Sequence, residues 1–450
     1  MATALVILAA GKGTRMQSDL PKVLHPIAQT PMLAHAMQAG AALEPQRTVI
    51  VAGHGADAVA KAAQEIDPDA AIALQTEQLG TAHAVSQARD ALTGFEGDIV
   101  ILYGDTPFIS PDTLERMIEA RQRAAVVVLG FEAADPARYG RLIMDGDSLE
   151  RIVEFKDASD AERAITFCNS GLVACDAGLL FDLLDQVGNE NASGEYYLPD
   201  IVALARGRDL PVTAVACDES ETLGVNSRTD LAAAEAVFQS RARADLLEIG
   251  VTLMAPETVF LSLDTVIGRD TVIEPNVVFG PGVTVESGAR IRAFSHLEGC
   301  HVSQGAIIGP YARLRPGAEL GENTHVGNFV EIKNSVIDEG AKVNHLSYIG
   351  DADVGARTNI GAGTITCNYD GVMKHRTTIG ADVFIGSNTM LVAPVSVGDR
   401  AMTATATTVT QNVPDEALAI ARPQQETKPG RAVKLMDMLR ARKARRSKEN

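Results

Sequence analysis

The 450-residue chain contains no tryptophan, and aromatic residues make up only 4% of it. An interior of this size built almost without rings has to reach native packing density with aliphatic side chains. Cysteine is sparse: Cys168, Cys175, Cys217, Cys300 and Cys367 are odd in number, scattered and nowhere spaced as CxxC. That argues against a disulfide framework and fits reduced thiols in the cytoplasm. Long apolar runs are also lacking. The run from Leu5 to Ala10 has no basic segment before it and is far too short to span a bilayer, so no membrane segment or secretory signal is expected. Nor is there an excess of positive charge. The net charge is −18, which excludes a general nucleic-acid surface and means that anionic substrates would need locally basic pockets. What remains, 46% hydrophobic and 22% charged, is an ordinary globular balance over a length suited to two or three domains.

The most regular stretch runs from about Val259 to Val409, where an aliphatic residue returns every sixth position. Ile267, Ile273, Phe279, Val285, Ile291 and Leu297 form one unbroken series. After a one-residue phase slip come Val302, Ile308, Leu314, Leu320, Val326 and Ile332, and then Ile337, Val343 and Ile349. Ile379, Ile385, Leu391 and Val397 resume beyond an interruption. A period of six fits neither an amphipathic helix nor an alternating strand. It predicts a parallel β-helix of hexapeptide repeats, with three hexads per triangular coil, the anchors pointing inward, and small or glycine residues at the corners. Function must then sit on the outside of the prism. The polar excursion Thr364 to Arg376 is the clearest candidate, because insertions in repeat arrays gather on one face.

The N-terminal half reads differently. Apolar runs at Ala4–Ala10, Thr48–Ala52, Asp98–Tyr103 and Ala125–Leu129 predict buried parallel strands. Helical patterns lie between them at about Met32–Leu43, Ala56–Ile66, Thr81–Leu92 and Pro111–Arg121. Such alternation predicts a doubly wound, Rossmann-like α/β domain with its ligands at the carboxyl ends of the strands. The first strand runs into Leu8-Ala9-Ala10-Gly11-Lys12-Gly13-Thr14-Arg15-Met16, and Pro21-Lys22-Val23-Leu24 follows. A glycine-rich turn offers backbone N–H groups to phosphate, and Lys12, Arg15 and Lys22 add charge. The order of residues is neither that of a P-loop nor a dinucleotide fingerprint. Asp105, after Tyr103-Gly104 at the end of a later strand, suits a metal that already carries phosphate oxygens. Asp145-Gly146 predicts a hairpin turn with no chemistry attached. An Ala-rich helical stretch from Leu231 to Ile249 joins the halves, which divides the chain into residues 1–226, a linker helix at 227–250, and residues 251–450.

Within the repeat, Arg313, Arg315, Lys333, His345, Tyr348, Asn359, Asn368 and Tyr369 are polar residues beside regular anchors. A lone histidine on such a face is ordinarily a surface residue. His345 stands apart because Arg315 and Lys333 fall on neighbouring coils. Cations there could hold a sugar phosphate while neutral imidazole takes a proton from an attacking amine. His296, His301, His325 and His375 have no spacing that suggests zinc. From Lys428 to Asn450 the chain is basic, with Arg440, Arg442, Lys443, Arg445, Arg446 and Lys448, and it reads as a solvated, partly disordered tail.

Leu8–Met16 with Pro21-Lys22-Val23-Leu24 resembles the signature of sugar-1-phosphate nucleotidylyltransferases. Together with Gln75, Gly80-Thr81, Tyr103-Gly104-Asp105, Asn169, Glu195-Tyr196-Tyr197 and Gly224-Val225-Asn226, in that order, the chain resembles one family over nearly its whole length. That family is the bifunctional N-acetylglucosamine-1-phosphate uridylyltransferases/glucosamine-1-phosphate N-acetyltransferases, which serve peptidoglycan synthesis. The resemblance implies that Leu8, Ala9, Ala10, Gly11 and Lys22 hold the phosphates of UTP, with Tyr103 and Gly104 beside them. It implies that Gln75, Gly80 and Thr81 read uracil, that Gly140, Glu154 and Asn169 grip the sugar, and that Asp105 and Asn226 bind Mg²⁺. His345 would be the general base. Arg315, Lys333, Tyr348 and Asn359 would contact glucosamine-1-phosphate, and Ala362, Asn368, Tyr369, Ser387, Thr405 and Arg422 would contact acetyl-coenzyme A. A left-handed β-helix and a homotrimer with acyl sites built by neighbouring subunits are implied as well. The chain departs from the family at Ala404-Thr405-Ala406-Thr407-Thr408, where Ala-Ala-Gly-Thr-Thr is usual. Two other readings remain at this stage. One is a single-activity nucleotidylyltransferase whose β-helix only assembles the oligomer, against which His345, Asn359 and Asn368-Tyr369 argue. The other is a non-catalytic nucleotide-sugar sensor, against which the Asp105–Asn226 metal pair argues.

Overall fold

The computed structural model describes every residue except Met1, Arg138, Ala192 and Asn450, with no side chains for 447–449. Asn450, the last residue of the expected C-terminal domain and tail, and the Lys448 side chain therefore lie outside what is described. The chain divides into two compact units, Met1–Asp245 with Phe260–Leu263, and Leu246–Val259 with Asp264–Asn450.

The first unit is built on a mostly parallel sheet. Its strands are β1 (Thr3–Ala9), β2 (Arg47–Ala52), β3 (Ala71–Leu74), β4 (Asp98–Tyr103), β5 (Val126–Glu132), β6 (Arg141–Asp145), β7 (Ser148–Val153), β8 (Phe167–Asp176) and β9 (Val212–Cys217). The order is β9-β5-β8-β4-β1-β2-β3, with the β6–β7 hairpin attached to β8. Only β8 among the main strands runs antiparallel to its neighbours. Because both faces are covered, β1 buries Ala4, Val6 and Leu8 in one layer and Leu5, Ile7 and Ala9 in the other. That double burial is why the strand reads as an unbroken apolar run. The helix expected over Thr81–Leu92 is two pieces, Thr81–Ser86 and a 3₁₀ turn at Asp90–Leu92. The helix Arg228–Glu248 starts from a reciprocal cap, in which Ser227 Oγ accepts from Asp230 N and Asp230 Oδ2 accepts from the N–H groups of Asn226 and Ser227.

The second unit is a three-faced parallel β-helix. One face has ten strands from Thr252–Leu253 to Leu418–Ala419, a second has eight from Val278–Phe279 to Thr408–Val409, and a third has eight from Val266–Ile267 to Val395–Val397. The Leu418–Ala419 strand carries the repeat past the regular stretch that ends near Val409, because it adds one more rung on Met402–Thr403. Every anchor from Ile267 to Leu297 is buried. The corners lie 17 or 18 residues apart, as between Gly282, Gly299 and Gly317, which is the physical form of the phase slips in the sequence.

Glycine is not the general corner residue. Left-handed backbone occurs at Gly282, Gly299, Gly317, Asn334 and Asp351 on one edge, but at Asn276, Phe294, Tyr311, Phe329, Leu346, Gly363, Asn388 and Ala406 on another. Non-glycine residues there cost about 1–2 kcal/mol each. The ladder holds them in place, since Tyr311 N–H donates to Ala293 O and Phe329 N–H to Tyr311 O. Phe294, Tyr311 and Phe329 stack with centroids 4.9 and 5.2 Å apart, and all three rings are exposed. The basic C-terminal stretch is solvated as expected but not partly disordered: it forms a helix, Arg431–Glu449, exposed along its described side chains. Among the described residues no helix is long and apolar enough to cross a membrane.

Candidate active sites

In the first unit, Leu8, Ala9, Ala10, Gly11, Lys22, Gln75, Gly80, Thr81, Tyr103 and Asp105 line one cavity of about 240 Å³ at the carboxyl ends of β1 and β4. Gly13 is left-handed at φ 58°, and a Cβ there would lie 2.7 Å from Lys22 Cβ, so this glycine is what lets Lys22 reach the cavity. Gly80, at φ 119°, admits the backbone of Tyr196, whose O would be 2.4 Å from an added Cβ. Thr81 Oγ1 accepts from Leu198 N–H at 2.9 Å, so the Glu195-Tyr196-Tyr197 segment is docked on the Gly80-Thr81 turn. Gln75 is buried and directs its amide nitrogen to Gly80 O at 3.1 Å and to His83 Nδ1 at 3.1 Å. Gly104 N–H donates to Leu8 O, tying the two strand ends together. Burial, and after it the charge of Asp105, pushes the Tyr103 phenol well above its usual pKa. Val23 and Glu195, which belong to the sequence motifs but had no role attached, also line the cavity, as do Gln78 and Ala84, which were not singled out from the sequence.

Asp105 and Asn226 come together because Val225 N–H donates to Asp105 O at 2.9 Å. Both side-chain oxygens bond one cation, the Lys22 ammonium, with Asn226 Oδ1 at 3.0 Å. Two hard oxygens converging on one positive charge suit Mg²⁺, which keeps several waters and needs few protein ligands. The expected sugar contacts form a separate cluster. Asn169 N–H donates to Gly140 O at 2.8 Å, and the Glu154 carboxylate lies against Gly140, where an added Cβ would be 3.1 Å from its Oε1. Burial, followed by Asp157 and Asp200, raises the Glu154 pKa.

In the second unit the backbone aligns His345, Ala362, Ser387 and Thr405 on successive rungs of one edge. The N–H groups of Gly363, Asn388 and Ala406 donate to the carbonyls of His345, Ala362 and Ser387 at 3.1, 2.7 and 2.8 Å. Three rung steps at the strand spacing make the row roughly 14 Å long. Arg422 Nη1 donates to Thr405 O at 2.7 Å and extends it. His345 is exposed, and its Nδ1 lies 2.8 Å from Asn328 Oδ1, on the next rung down. Asn328 was not singled out from the sequence.

The other expected residues gather on the second face and its far corner. Arg315 bonds Glu331 at 2.8 Å. Lys333 reaches Asp351 at 3.4 Å, and Asn368 Nδ2 donates to Asp351 Oδ2 at 2.5 Å and to Tyr348 Oη at 3.3 Å. Tyr369 is exposed on the loop and paired by a backbone bridge with Lys374. Lys374 stands beside Lys333, and the contact with that second ammonium lowers its pKa. Glu331, Asp351 and Lys374 were missed by sequence reasoning, although Lys374 lies in the excursion it marked. Asn359 is not brought to this group. It stands on the first face, in register with Lys342 and Phe384.

A nucleotide cavity at the edge of a parallel sheet, joined in one chain to a hexad β-helix with a linear polar edge, defines a nucleotidyltransferase fused to a hexapeptide-repeat transferase. Residues 5–169 match the MobA-like NTP transferase domain, and residues 264–299 and 299–334 match the bacterial transferase hexapeptide (six repeats). Full-length relatives are similar throughout. The Bifunctional protein GlmU of Ruegeria sp. (strain TM1040) is 76% identical over 448 residues, covering 100% of both chains. That of Ruegeria pomeroyi is 76% identical over 449 residues, again covering 100% of both. That of Cereibacter sphaeroides (strain ATCC 17023) is 66% identical over 446 residues, 99% of this chain and 98% of its own. The chain belongs to the GlmU family of bifunctional uridylyltransferases and acetyltransferases.

Proposed function

We propose that residues 251–450 acetylate glucosamine-1-phosphate, and that residues 1–226, with 227–250 between, then transfer uridylyl from UTP to the product to give UDP-N-acetylglucosamine. The reading rests on two separately built sites, and above all on the single row His345–Ala362–Ser387–Thr405, whose length suits a thin extended coenzyme. For acetyl transfer, the amine nitrogen of the sugar attacks the thioester carbonyl carbon. The C–S bond breaks and coenzyme A leaves as the thiol. Asn328 Oδ1 can only accept a hydrogen bond, so the His345 Nδ1 facing it carries the hydrogen and Nε2 is left to take the amine proton. Arg315, Lys333 and Tyr348 hold the sugar phosphate, with Lys374 adding charge. Asn368 and Tyr369, with Ala362, Ser387, Thr405 and Arg422, hold the coenzyme.

For uridylyl transfer, a phosphate oxygen of N-acetylglucosamine-1-phosphate attacks the α-phosphorus of UTP and pyrophosphate leaves. Leu8 to Gly11 and Lys22 orient the phosphates, Gln75, Gly80 and Thr81 the uracil, and Gly140, Glu154 and Asn169 the sugar. Mg²⁺, held by Asp105 and Asn226, would neutralise charge on phosphate oxygens. No side-chain nucleophile is required.

The protein works in the cytoplasm as a homotrimer in this reading. Two features support the assembly: the exposed stack Phe294–Tyr311–Phe329, continued by exposed Leu346, and the position of Asn359 on a different face from Tyr348. A neighbouring copy presenting its first face would complete the acyl site. The test is to mix protein, glucosamine-1-phosphate, acetyl-coenzyme A, UTP and Mg²⁺. UDP-N-acetylglucosamine in the mass spectrum is expected. Accumulation of N-acetylglucosamine-1-phosphate alone would refute the second half of the reading, and no acetylation the first.

A further inference from the structure

One edge of the β-helix carries a buried carboxylate that the proposed chemistry does not use. Asp351 is 6% exposed and occupies a left-handed corner at φ 50°. Its Oδ1 accepts from Asn334 Nδ2 at 2.6 Å and from Lys333 Nζ at 3.4 Å, and its Oδ2 accepts from Asn368 Nδ2 at 2.5 Å. Its backbone joins in: Asp351 N–H donates to Lys333 O, and Thr377 N–H, just beyond the loop 368–376, donates to Asp351 O. The corner does not call for this charge. The same position on the rungs below is filled by Gly299, Gly317 and Asn334, all neutral. Nor is the carboxylate idle as a buried acid. Burial works to raise its pKa, but the hydrogen bonds from Asn334 and Asn368 and the Lys333 charge outweigh that and hold it below the usual carboxylate range.

We infer that Asp351 is a positioning residue that couples the two substrates of acetyl transfer, fixing Lys333 for the sugar phosphate and Asn368 for the coenzyme through one carboxylate. This rests on the acetyl-transfer reading above. The reasoning is geometric. Lys333 is a flexible ammonium whose rotamer freedom must be lost on binding phosphate, and Asn368 begins an excursion with no regular strand to hold it. A shared, charge-assisted acceptor removes freedom from both in advance, so ordering one favours the other.

Asp351→Asn is the informative variant. Asparagine keeps the size and tolerates the left-handed corner, as Asn334 does one rung below, but it removes the charge and turns one acceptor into a donor facing donors. The KM values for glucosamine-1-phosphate and acetyl-coenzyme A are both expected to rise, lowering kcat/KM roughly ten- to hundred-fold with a smaller change in kcat. The losses from Asp351→Asn and Asn368→Ala should be less than additive in the double variant. Uridylyl transfer and assembly state should match the unaltered enzyme. Both KM values within about two-fold of normal, or a rise for one substrate alone, would overturn the coupling role. So would additive losses in the double variant. If Asp351→Asn loses its assembly state, Asp351→Gly, which copies the corner at Gly317, is read by the same criteria. Absence of acetyl transfer from the unaltered enzyme would instead bring down the functional reading itself.

Discussion

Replacing His345 with alanine should lower acetyl-transfer turnover by about 10²–10⁴-fold, the usual contribution of a positioned general base. At about 1.36 kcal/mol per decade this is roughly 2.7–5.4 kcal/mol of lost transition-state stabilisation. The geometry also fixes how a second, smaller effect should look. His345 Nδ1 is held by Asn328 Oδ1 at 2.8 Å, which selects the tautomer with Nε2 free and fixes the ring plane. A neutral hydrogen bond of this kind contributes about 1 kcal/mol net, so Asn328→Ala should cost only about five-fold. Neither variant should much change the KM for acetyl-coenzyme A, because Ala362, Ser387 and Thr405 continue the row without them. Release of free thiol, followed over a range of both substrates, gives kcat and KM separately. Uridylyl transfer measured on the same preparations should be normal. A wild-type acetyl-transfer rate in His345→Ala would remove the residue from the mechanism. Equal losses in the two variants would show that Asn328 does more than orient the ring.

Asp105→Ala should reduce uridylyl transfer by orders of magnitude and leave acetyl transfer near normal. Indifference of the unaltered enzyme's uridylyl transfer to added Mg²⁺ would refute the metal assignment. Ala406 holds φ 62°, so Ala406→Gly should stabilise the β-helix by about 1 kcal/mol, seen as a higher midpoint in thermal unfolding; an unchanged or lower midpoint would refute the claim of strain. Glu154 has a raised pKa, chiefly from burial, and its sign can be worked through: the folded state holds its proton longer than the unfolded chain does. Stability is therefore full below the unfolded pKa and falls as pH rises towards the folded one. Glu154→Gln should then unfold at a higher temperature than the unaltered protein near pH 7 but not near pH 4, while its KM for N-acetylglucosamine-1-phosphate rises. Equal midpoint shifts at both pH values would refute the burial cost.

The parts of the fold legible in the sequence are those where one physical demand repeats. The anchors Ile267 to Leu297 all face the same narrow interior, so the period of six survives in the sequence. β1 is legible because both of its faces are covered. β8 was not expected, and the reason is local. Asn169-Ser170-Gly171 interrupts its apolar run, and the ladder with β5 shifts register between Asn169 and Val173. Asn169 Oδ1 accepts from Gly171 N–H at 2.9 Å, so the irregularity is the part that presents Asn169 to the sugar cluster. β3 is short, and both β3 and β9 lie at the two ends of the sheet, where less apolar surface is buried. The corners were misjudged for another reason. Glycine is the cheapest left-handed residue, but a backbone clamped rung by rung can hold phenylalanine, tyrosine or leucine there. Sequence propensity cannot see that clamp.

The same clamp explains why the acyl site was only half visible. Each residue of the row looks like an isolated polar or small side chain, because its neighbours in space lie a whole coil away in sequence. Asn328, His345 and Ala362 are separated by the shorter coil of 17 residues, whereas Ser387 lies beyond the excursion and Thr405 one coil of 18 further on. A fixed period of 18 would therefore have put Asn328 one residue out of register with His345, and the bond between them is what the sequence could not reveal. Side chains on a strand alternate faces, so one residue of slip is the difference between a partner and a stranger. The structure supplies the missing quantity, the length of each coil. With it, His345, Asn328 and the proposed coenzyme contacts Ala362, Ser387 and Thr405 fall on one edge, while Asp351 gathers Lys333 and Asn368 at another. An acetyl group handed from coenzyme to amine must meet both sets. Asn359, on the first face and away from the Arg315, Lys333 and Tyr348 group, is the residue whose alanine variant should respond to dilution of the assembly if a neighbouring chain completes the site.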